Sequence, residues 1–159
     1  MHLKGIIDYD TVNYKEPVLT MEMPRCDFKC DVLNGCKVCQ NSQLAAEPDI
    51  DVSFEDIWQL YCANPLTKGF CFQGLEPFNS LTDIYNFVDF IRAGMDCNDV
   101  IIIYTGYNRN ECAEIVDFLH NYPNIIIKWG RFIMNDQPHY DGILGVNLAS
   151  SNQYAEVLQ

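Results

Sequence analysis

The strongest constraint on the fold is an apolar run near the middle of the chain. The run Val100–Ile103 contains no polar residue, so a strand here carries apolar side chains on both faces. A strand of a one-sided hairpin alternates apolar and polar residues, whereas a strand of a parallel sheet is usually covered on both faces. The run therefore predicts a buried strand within a parallel sheet.

Strands and helices are predicted to alternate on either side of this run. Strands are expected near 18–23, 69–73, 99–104 and 124–128, with helices beginning near Ser53, Ser80 and Asn108. This order indicates parallel strands joined by right-handed crossovers. A closed eight-stranded barrel typically needs about 250 residues, and the chain has 159. We therefore expect one α/β domain over 1–159, built as a partial (open) parallel β/α barrel with an irregular tail over 133–159.

The chain is strongly acidic, with 22 Asp and Glu residues against 10 Lys and Arg and a net charge of −12. Such a surface repels phosphate backbones, so we expect no nucleic-acid partner and no binding to anionic membranes. No stretch approaches the roughly 20 apolar residues of a membrane span. The start of the chain leads into Asp8 and Asp10 rather than into the apolar run of a signal peptide. We therefore expect a cytoplasmic protein.

Four of the eight cysteines lie close together in the segment 25–42, which is predicted to be a loop after the first parallel strand. These four are Cys26, Cys30, Cys36 and Cys39. Thiolates are soft ligands that select zinc or iron–sulfur clusters. Three of them could hold three corners of an iron–sulfur cube, and all four could close a zinc tetrahedron. The spacing leaves both open, but the carboxyl end of a parallel strand is where such folds place their sites.

The cysteine segment resembles the motif of the radical S-adenosylmethionine (radical SAM) enzymes, which has three cysteines spaced three and two residues apart. Cys26-Asp-Phe-Lys-Cys30 resembles its first half, and Cys36-Lys-Val-Cys39 followed by Gln40-Asn41 resembles its second half. The chain departs from the motif by an insertion between the second and third ligands. We take Cys39 as the third ligand, because Gln40-Asn41 fits the family context, and keep Cys36 as the alternative.

A second segment, Gly74-Leu75-Glu76-Pro77, is similar to the Gly-Gly-Glu-Pro segment of the same family, with Leu75 in place of the second Gly. In the family this segment holds the amino group of S-adenosylmethionine (SAM). The resemblance also implies that Val38 packs on the adenine. The cofactor-binding residues that it implies are Val38, Gln40, Asn41, Gly74, Leu75 and Glu76. For the methionine carboxylate, Lys128 and Arg131 are both candidates.

Three later fragments resemble the activating proteins of anaerobic ribonucleotide reductases: Thr105-Gly106-Tyr107, Gly130-Arg131-Phe132-Ile133 and Ser150-Ser151-Asn152-Gln153. The resemblance implies a [4Fe–4S] cluster held by three thiolates, with SAM chelating the fourth iron. It further implies reductive cleavage of SAM and hydrogen abstraction from a glycine of the reductase large subunit. A flavodoxin-like protein is the implied electron donor.

Two alternatives from other functional classes stay open. One is a radical SAM enzyme that acts on a small molecule, although so short a chain leaves little room for a substrate domain. The other is a non-catalytic zinc-binding interaction module that uses Cys26, Cys30, Cys36 and Cys39. The zinc hypothesis predicts that Cys36 matters as much as Cys26, and that Gly74 and Glu76 are dispensable.

Overall fold

The computed structural model describes residues 1–158. Its strands are β1 (His2–Leu3), β2 (Gly5–Asp10), β3 (Val18–Met23), β4 (Ile50–Asp51), β5 (Gly69–Gly74), β6 (Val100–Tyr104), β7 (Ile125–Trp129), β8 (His139–Asp141), β9 (Val146–Leu148) and β10 (Tyr154–Leu158). Its α-helices are α1 (Lys29–Asn34), α2 (Phe54–Ala63), α3 (Leu81–Asp89) and α4 (Ala113–Leu119). Short 3-10 turns cover Leu44–Ala46, Pro77–Ser80 and Arg109–Glu111, and one π-helical turn covers Phe90–Gly94.

Six of these strands form the main sheet, in the order β10-β7-β6-β5-β3-β2. The four central strands, β3, β5, β6 and β7, are parallel, as the alternation of strands and helices predicts. The two outer strands, β2 and β10, pair antiparallel with their neighbours. Within residues 1–158 the sheet therefore ends at two edges and does not close into a barrel.

The apolar run in β6 is buried on both faces. Ile101 and Ile103 pack into the larger core with side chains from α2, α3 and α4. Ile102 points into a smaller core with Leu144 and Leu148, near and within the β8–β9 hairpin. All three isoleucines have no exposed surface, which explains why the run needs no polar residue. The helices thus cover one face of the sheet, and the carboxyl-terminal hairpin covers part of the other.

Of the predicted helix starts, only that of α2 is made by a side-chain cap. Ser53 Oγ accepts the backbone N–H of Asp56 at 3.0 Å and begins α2, as predicted, because it satisfies a donor that has no partner within the helix. Asn108 and Glu111 form a capping box, but it closes the 3-10 turn, and α4 begins only at Ala113. The irregular backbone of Cys112 separates the two. No helix in the described range is both long and apolar enough to cross a membrane.

Two segments are more regular than the sequence predicts. The tail over 133–159 is not irregular throughout, since its described part contains β8, β9 and β10. Strand β10 pairs along the whole of β7, whose backbone groups would otherwise be left at an open edge. Trp129 Nε1 also donates to Glu156 Oε2 across this pair at 3.0 Å. The predicted loop over 25–42 contains the one-and-a-half turns of α1.

Candidate metal centre

A cavity of about 340 Å³ opens at the carboxyl ends of the four parallel strands. Its walls come from the segment after β3, the end of β5, the residues after β6 and the end of β7. Parts of the β2–β3 connection and of β9 complete it. The lining residues include Cys26, Cys30, Cys39, Gln40, Asn41, Gly74, Leu75, Glu76, Thr105, Gly106, Lys128, Phe132 and Leu148. The site therefore lies where a parallel α/β sheet is expected to place it.

The cavity brings together Cys26, Cys30 and Cys39, each of which is partly buried. Cys36 is exposed and does not line the cavity. Burial raises the pKa of the Cys26 thiol to about 11, and the nearby charges of Glu76 and Cys39 add to the rise. Burial likewise raises the pKa of Cys39. In the metal-free protein these two thiols are therefore protonated at neutral pH, and metal binding must release their protons.

Backbone N–H groups two residues further along the chain approach two of the sulfurs. The N–H of Phe28 donates to Cys26 Sγ at 3.2 Å. The backbone of Asn41 hydrogen-bonds to Cys39 and opposes the rise of its pKa. Phe28 has a left-handed backbone with φ of 53°, an uncommon conformation for a residue with a side chain. Such N–H···S contacts favour the thiolate and are one of the factors that tune cluster potentials.

The insertion between Cys30 and Cys39 is closed by Asp31. Its Oδ1 accepts the backbone N–H groups of both Val38 and Cys39, each at 2.9 Å. Because Asp31 is adjacent to Cys30, this pair of bonds fixes Cys39 relative to Cys30. This role of Asp31 was not predicted, although Asp31 is the only acidic side chain between those two cysteines.

Two asparagines fasten the cysteine segment to the rest of the sheet. Asn34, at the end of α1, donates to the carbonyl of Phe132 at 3.0 Å and accepts the N–H of Met134 at 2.9 Å. Asn41 donates from Nδ2 to the carbonyl of Gly74 at the end of β5. The side-chain amide nitrogen of Asn41, a predicted cofactor contact, is therefore used for a structural bond.

Glu76 has a structural role that the sequence does not reveal. The residue is 7% exposed, and its carboxylate accepts the Thr105 hydroxyl at 2.6 Å, the Gly106 N–H at 2.8 Å and the Phe78 N–H at 3.0 Å. Burial raises its pKa, and these hydrogen bonds oppose that effect. Glu76 thus joins the end of β5 to the end of β6. Contact with a cofactor ammonium stays a prediction for this residue.

The remaining predicted cofactor residues differ in whether they line the cavity. Gln40, Gly74 and Leu75 line the cavity together with Asn41 and Glu76. Val38 does not line it, and its backbone N–H is turned towards Asp31. The expected packing of Val38 on an adenine therefore has no support in this arrangement.

Lys128 and Arg131 differ sharply in what they contact. Arg131 does not line the large cavity, and it forms two 2.9 Å bonds to the carboxylate of Glu111. Among the described residues, Lys128 is the only basic one in the cavity wall; it is 7% exposed and donates to the carbonyl of Gly130 at 3.0 Å. No carboxylate among residues 1–158 lies within ion-pair distance of it. Burial lowers the pKa of Lys128 to about 8. Lys128 is therefore the cation available to an anionic ligand here.

Gly74 occupies a position that only glycine fits without strain. Its φ is +88°, and a Cβ there would lie 3.1 Å from Glu22 Cα and 3.0 Å from Leu44 Cδ2. We expect Gly74→Ala to lower the free energy of unfolding by about 1–2 kcal/mol, the cost of a left-handed residue with a side chain. Urea unfolding of the metal-free protein measures this. Gly142→Ala is the matched control, since a Cβ there meets nothing within 4 Å. Equal losses in the two variants would contradict the expectation.

The donor set fits an iron–sulfur cluster. Three thiols line one cavity, and two of them have backbone N–H donors. Within the described residues, no three His, Cys, Asp or Glu side chains converge tightly enough to hold a single metal ion. The ligands of a cube bind separate irons, so they need not converge on one point. Cys26, Cys30 and Cys39 are the residues that would hold the cluster.

A cysteine-lined cavity at the carboxyl edge of an α/β sheet defines a class of protein, those that bind an iron–sulfur cluster through cysteine thiolates. The family model described as "4Fe-4S single cluster domain" matches residues 18–153, and the chain belongs to this family. The match confirms the predicted [4Fe–4S] cofactor. No curated protein and no solved structure matches the chain.

Proposed function

We propose that the protein is a radical SAM activase that generates a glycyl radical on an anaerobic ribonucleotide reductase. The observation that carries this proposal is the shared cavity. The three thiols and the segment Gly74–Glu76, which resemble two separate motifs of one family, line the same space although they are more than 30 positions apart in sequence.

The topology supports a partial barrel of the radical SAM type. Strands β3, β5, β6 and β7 are added to the sheet in one direction. With right-handed crossovers, this order puts every intervening helix on the same face, as in a β/α barrel and unlike a doubly wound sheet. The side chains of α2, α3 and α4 do pack into a single core. The other face is then the inner side of the partial barrel.

Each part of the cavity has a role in this proposal. Cys26, Cys30 and Cys39 would hold the cluster, which when bound would supply the electron for reductive cleavage of SAM and so allow hydrogen abstraction from glycine Cα. Lys128 pairs its ammonium with the methionine carboxylate. Gly74 exposes backbone to the methionine amino group. Phe132 and Leu148 supply apolar wall that limits the access of water.

The size of the cavity favours a macromolecular substrate. Small-molecule sites span about 300–1,000 Å³, and this cavity of about 340 Å³ lies at the lower end of that range. In this proposal the cavity holds both the cluster and SAM, which leaves little room for a second small molecule. The glycine is therefore presented from outside by a partner that brings its own surface. A flavodoxin-like protein is the electron donor in this proposal.

Electron paramagnetic resonance (EPR) on the anaerobically reconstituted, dithionite-reduced protein tests the proposal. We expect a [4Fe–4S]⁺ signal that changes shape when SAM is added, and 5′-deoxyadenosine as a product. Addition of the large subunit of an anaerobic ribonucleotide reductase should then give a glycyl-radical signal.

Three other outcomes separate the alternatives. A colourless protein with one zinc per chain would support the interaction module. A cluster signal that is unchanged by SAM would overturn the radical SAM proposal while leaving the cluster assignment intact. Cleavage of SAM with no glycyl radical on the reductase would favour a different substrate.

A further inference from the structure

Tyr107 connects the cysteine segment to the segments that follow strands β5, β6 and β7. Its hydroxyl lies 3.0 Å from Asp27 Oδ2 and 3.2 Å from Asn79 Oδ1, so its single proton is donated to one of them at a time. Its own backbone is held on both sides. The N–H donates to Thr105 Oγ1 at 3.0 Å, and the carbonyl accepts the N–H of Gly130 at 3.0 Å. Both the side chain and the backbone of Tyr107 are therefore held in place by hydrogen bonds.

The ring of Tyr107 is also in contact with two cations. Lys29 Nζ lies 4.0 Å from the ring centroid, and Arg131 Cζ lies 5.5 Å from it. Lys29 forms an ion pair with Asp27 at 3.1 Å. Asp27 and Lys29 thus hold each other, and Tyr107 contacts both, one through its hydroxyl and the other through its ring. A cation at this distance from an aromatic face is attracted to it.

Asp27 and Lys29 lie between two of the three predicted cluster ligands. The segment from Cys26 to Cys30 has only three residues between the cysteines, and the middle one, Phe28, is in the left-handed conformation. A small cavity of about 20 Å³ behind the segment is lined by both cysteines together with Tyr107, Lys29 and Arg131. Any movement of Asp27 or Lys29 therefore moves the sulfur-bearing residues on either side.

Gly106 shows how closely the segment after β6 lies against the predicted cluster ligands. A Cβ added there would lie 3.7 Å from Cys30 Sγ and 3.7 Å from Arg131 Cγ. A side chain at position 106 would therefore contact both the sulfur and the arginine stem. Tyr107 is the next residue, so its contacts act directly behind the cluster ligands.

We propose that Tyr107 is a positioning residue for the iron–sulfur cluster: it clamps the Asp27–Lys29 segment to the sheet and so sets the relative placement of Cys26 and Cys30. Residues behind metal ligands typically change metal affinity by about 10- to 100-fold when they are removed. The proposal concerns cluster binding alone and does not depend on SAM or on a glycyl-radical partner.

The test is the rate at which the reconstituted protein loses iron to a chelator, measured with the EPR spectrum of the reduced cluster. Tyr107→Phe removes only the hydroxyl, and Tyr107→Leu removes the hydroxyl and the ring. We expect iron loss about 10-fold faster for Tyr107→Phe and up to about 100-fold faster for Tyr107→Leu, with altered EPR line shapes in both. The melting temperatures of the metal-free Tyr107→Phe and wild-type proteins should agree.

Tyr122→Phe is the matched control. The hydroxyl of Tyr122 also bonds to a carboxylate, that of Asp89, but Tyr122 precedes β7 and so lies at the edge of the sheet opposite the cysteines. It should lose iron at the wild-type rate. Iron loss and EPR spectra identical to wild type in both Tyr107 variants would overturn the proposal. A fall in the melting temperature of metal-free Tyr107→Phe that accounts for the faster loss would overturn it too, because the role would then be general stability.

Discussion

Replacing Cys39 with alanine should reduce the iron bound after anaerobic reconstitution from about four atoms per chain to fewer than about one, whereas Cys36→Ala should leave it near four. The reason is the placement of the two side chains. Cys39 lines the cavity with Cys26 and Cys30 and is held there by Asp31, while Cys36 is exposed outside it. Iron and sulfide analysis with the absorbance of the cluster measures the difference.

A cysteine outside the clustered segment provides the control for this comparison. Cys62 is exposed on α2, far in sequence from the cysteine segment, so Cys62→Ala should bind iron as the wild type does. Loss of iron in Cys36→Ala equal to that in Cys39→Ala would contradict the expectation. It would mean that all four clustered cysteines close one site, as the zinc hypothesis requires.

The second large effect is expected at Lys128, where stability and binding should change in opposite directions. Lys128→Met should raise the free energy of unfolding of the metal-free protein at pH 7 by about 2 kcal/mol. The folded pKa of about 8 lies below the ordinary value of 10.5, and a shift of this size corresponds to a penalty of about 3 kcal/mol for the buried charge. Loss of the hydrogen bond to Gly130 offsets about 1 kcal/mol of that gain.

The stability difference between the wild type and Lys128→Met should depend on pH, because the pKa of Lys128 differs between the folded and unfolded chains. Between pH 8 and about 10.5 the unfolded chain binds more protons at Lys128 than the folded chain does. The stability of the wild type, measured relative to the variant, therefore rises with pH across this window. The advantage of Lys128→Met should be largest below pH 8 and should disappear by about pH 10.5. Urea unfolding at pH 7 and pH 10 measures it.

If SAM occupies the cavity, Lys128→Met should bind SAM more weakly than the wild type does. The loss of one charge-assisted hydrogen bond, about 1.5–3 kcal/mol, weakens the affinity for SAM by about 10- to 100-fold. Lys68→Met is the control, because Lys68 is an exposed lysine that also donates to a backbone carbonyl, that of Pro65, at 2.9 Å. It should change neither quantity appreciably. A Lys128→Met protein with unchanged SAM affinity would remove Lys128 from the binding site.

The centre of the fold could be predicted because its signal is local. The run Val100–Ile103 has no polar residue, and Ser53 has its capping partner three positions away. Strand β10 was missed because its five residues do not alternate cleanly: Ala155 and Leu158 are buried, three positions apart, and Tyr154 and Val157 are exposed. It is a strand because β7 offers an unpaired edge, which is a property of the sheet and not of the segment.

In the candidate site, too, local features could be predicted from the sequence, and contacts between distant residues could not. The four clustered cysteines indicated a metal or cluster site by their residue type and position, and the choice of Cys39 over Cys36 rested on the resemblance around Gln40-Asn41. The bond from Thr105 to Glu76 was not visible, because the two residues are 29 positions apart and meet only where β5 and β6 end side by side. The choice between Lys128 and Arg131 also needed the structure. Only the position of Glu111 shows that Arg131 is already engaged.

The two hydrogen bonds accepted by Asp31 separate the residues that position the cysteine ligands from the exposed residues between them. They join position 31 directly to positions 38 and 39, so the intervening residues form an excursion at the surface. Of these, Val32, Leu33, Gly35, Cys36 and Lys37 are exposed. Asn34 and Gly35 are constrained within this stretch, Asn34 by its bonds to Cys30, Phe132 and Met134 and Gly35 by its left-handed backbone. The exposed side chains of Val32, Leu33, Cys36 and Lys37 are separated from the geometry of the ligands. They can be replaced, and with them the face shown to other molecules, while the metal centre stays as it is.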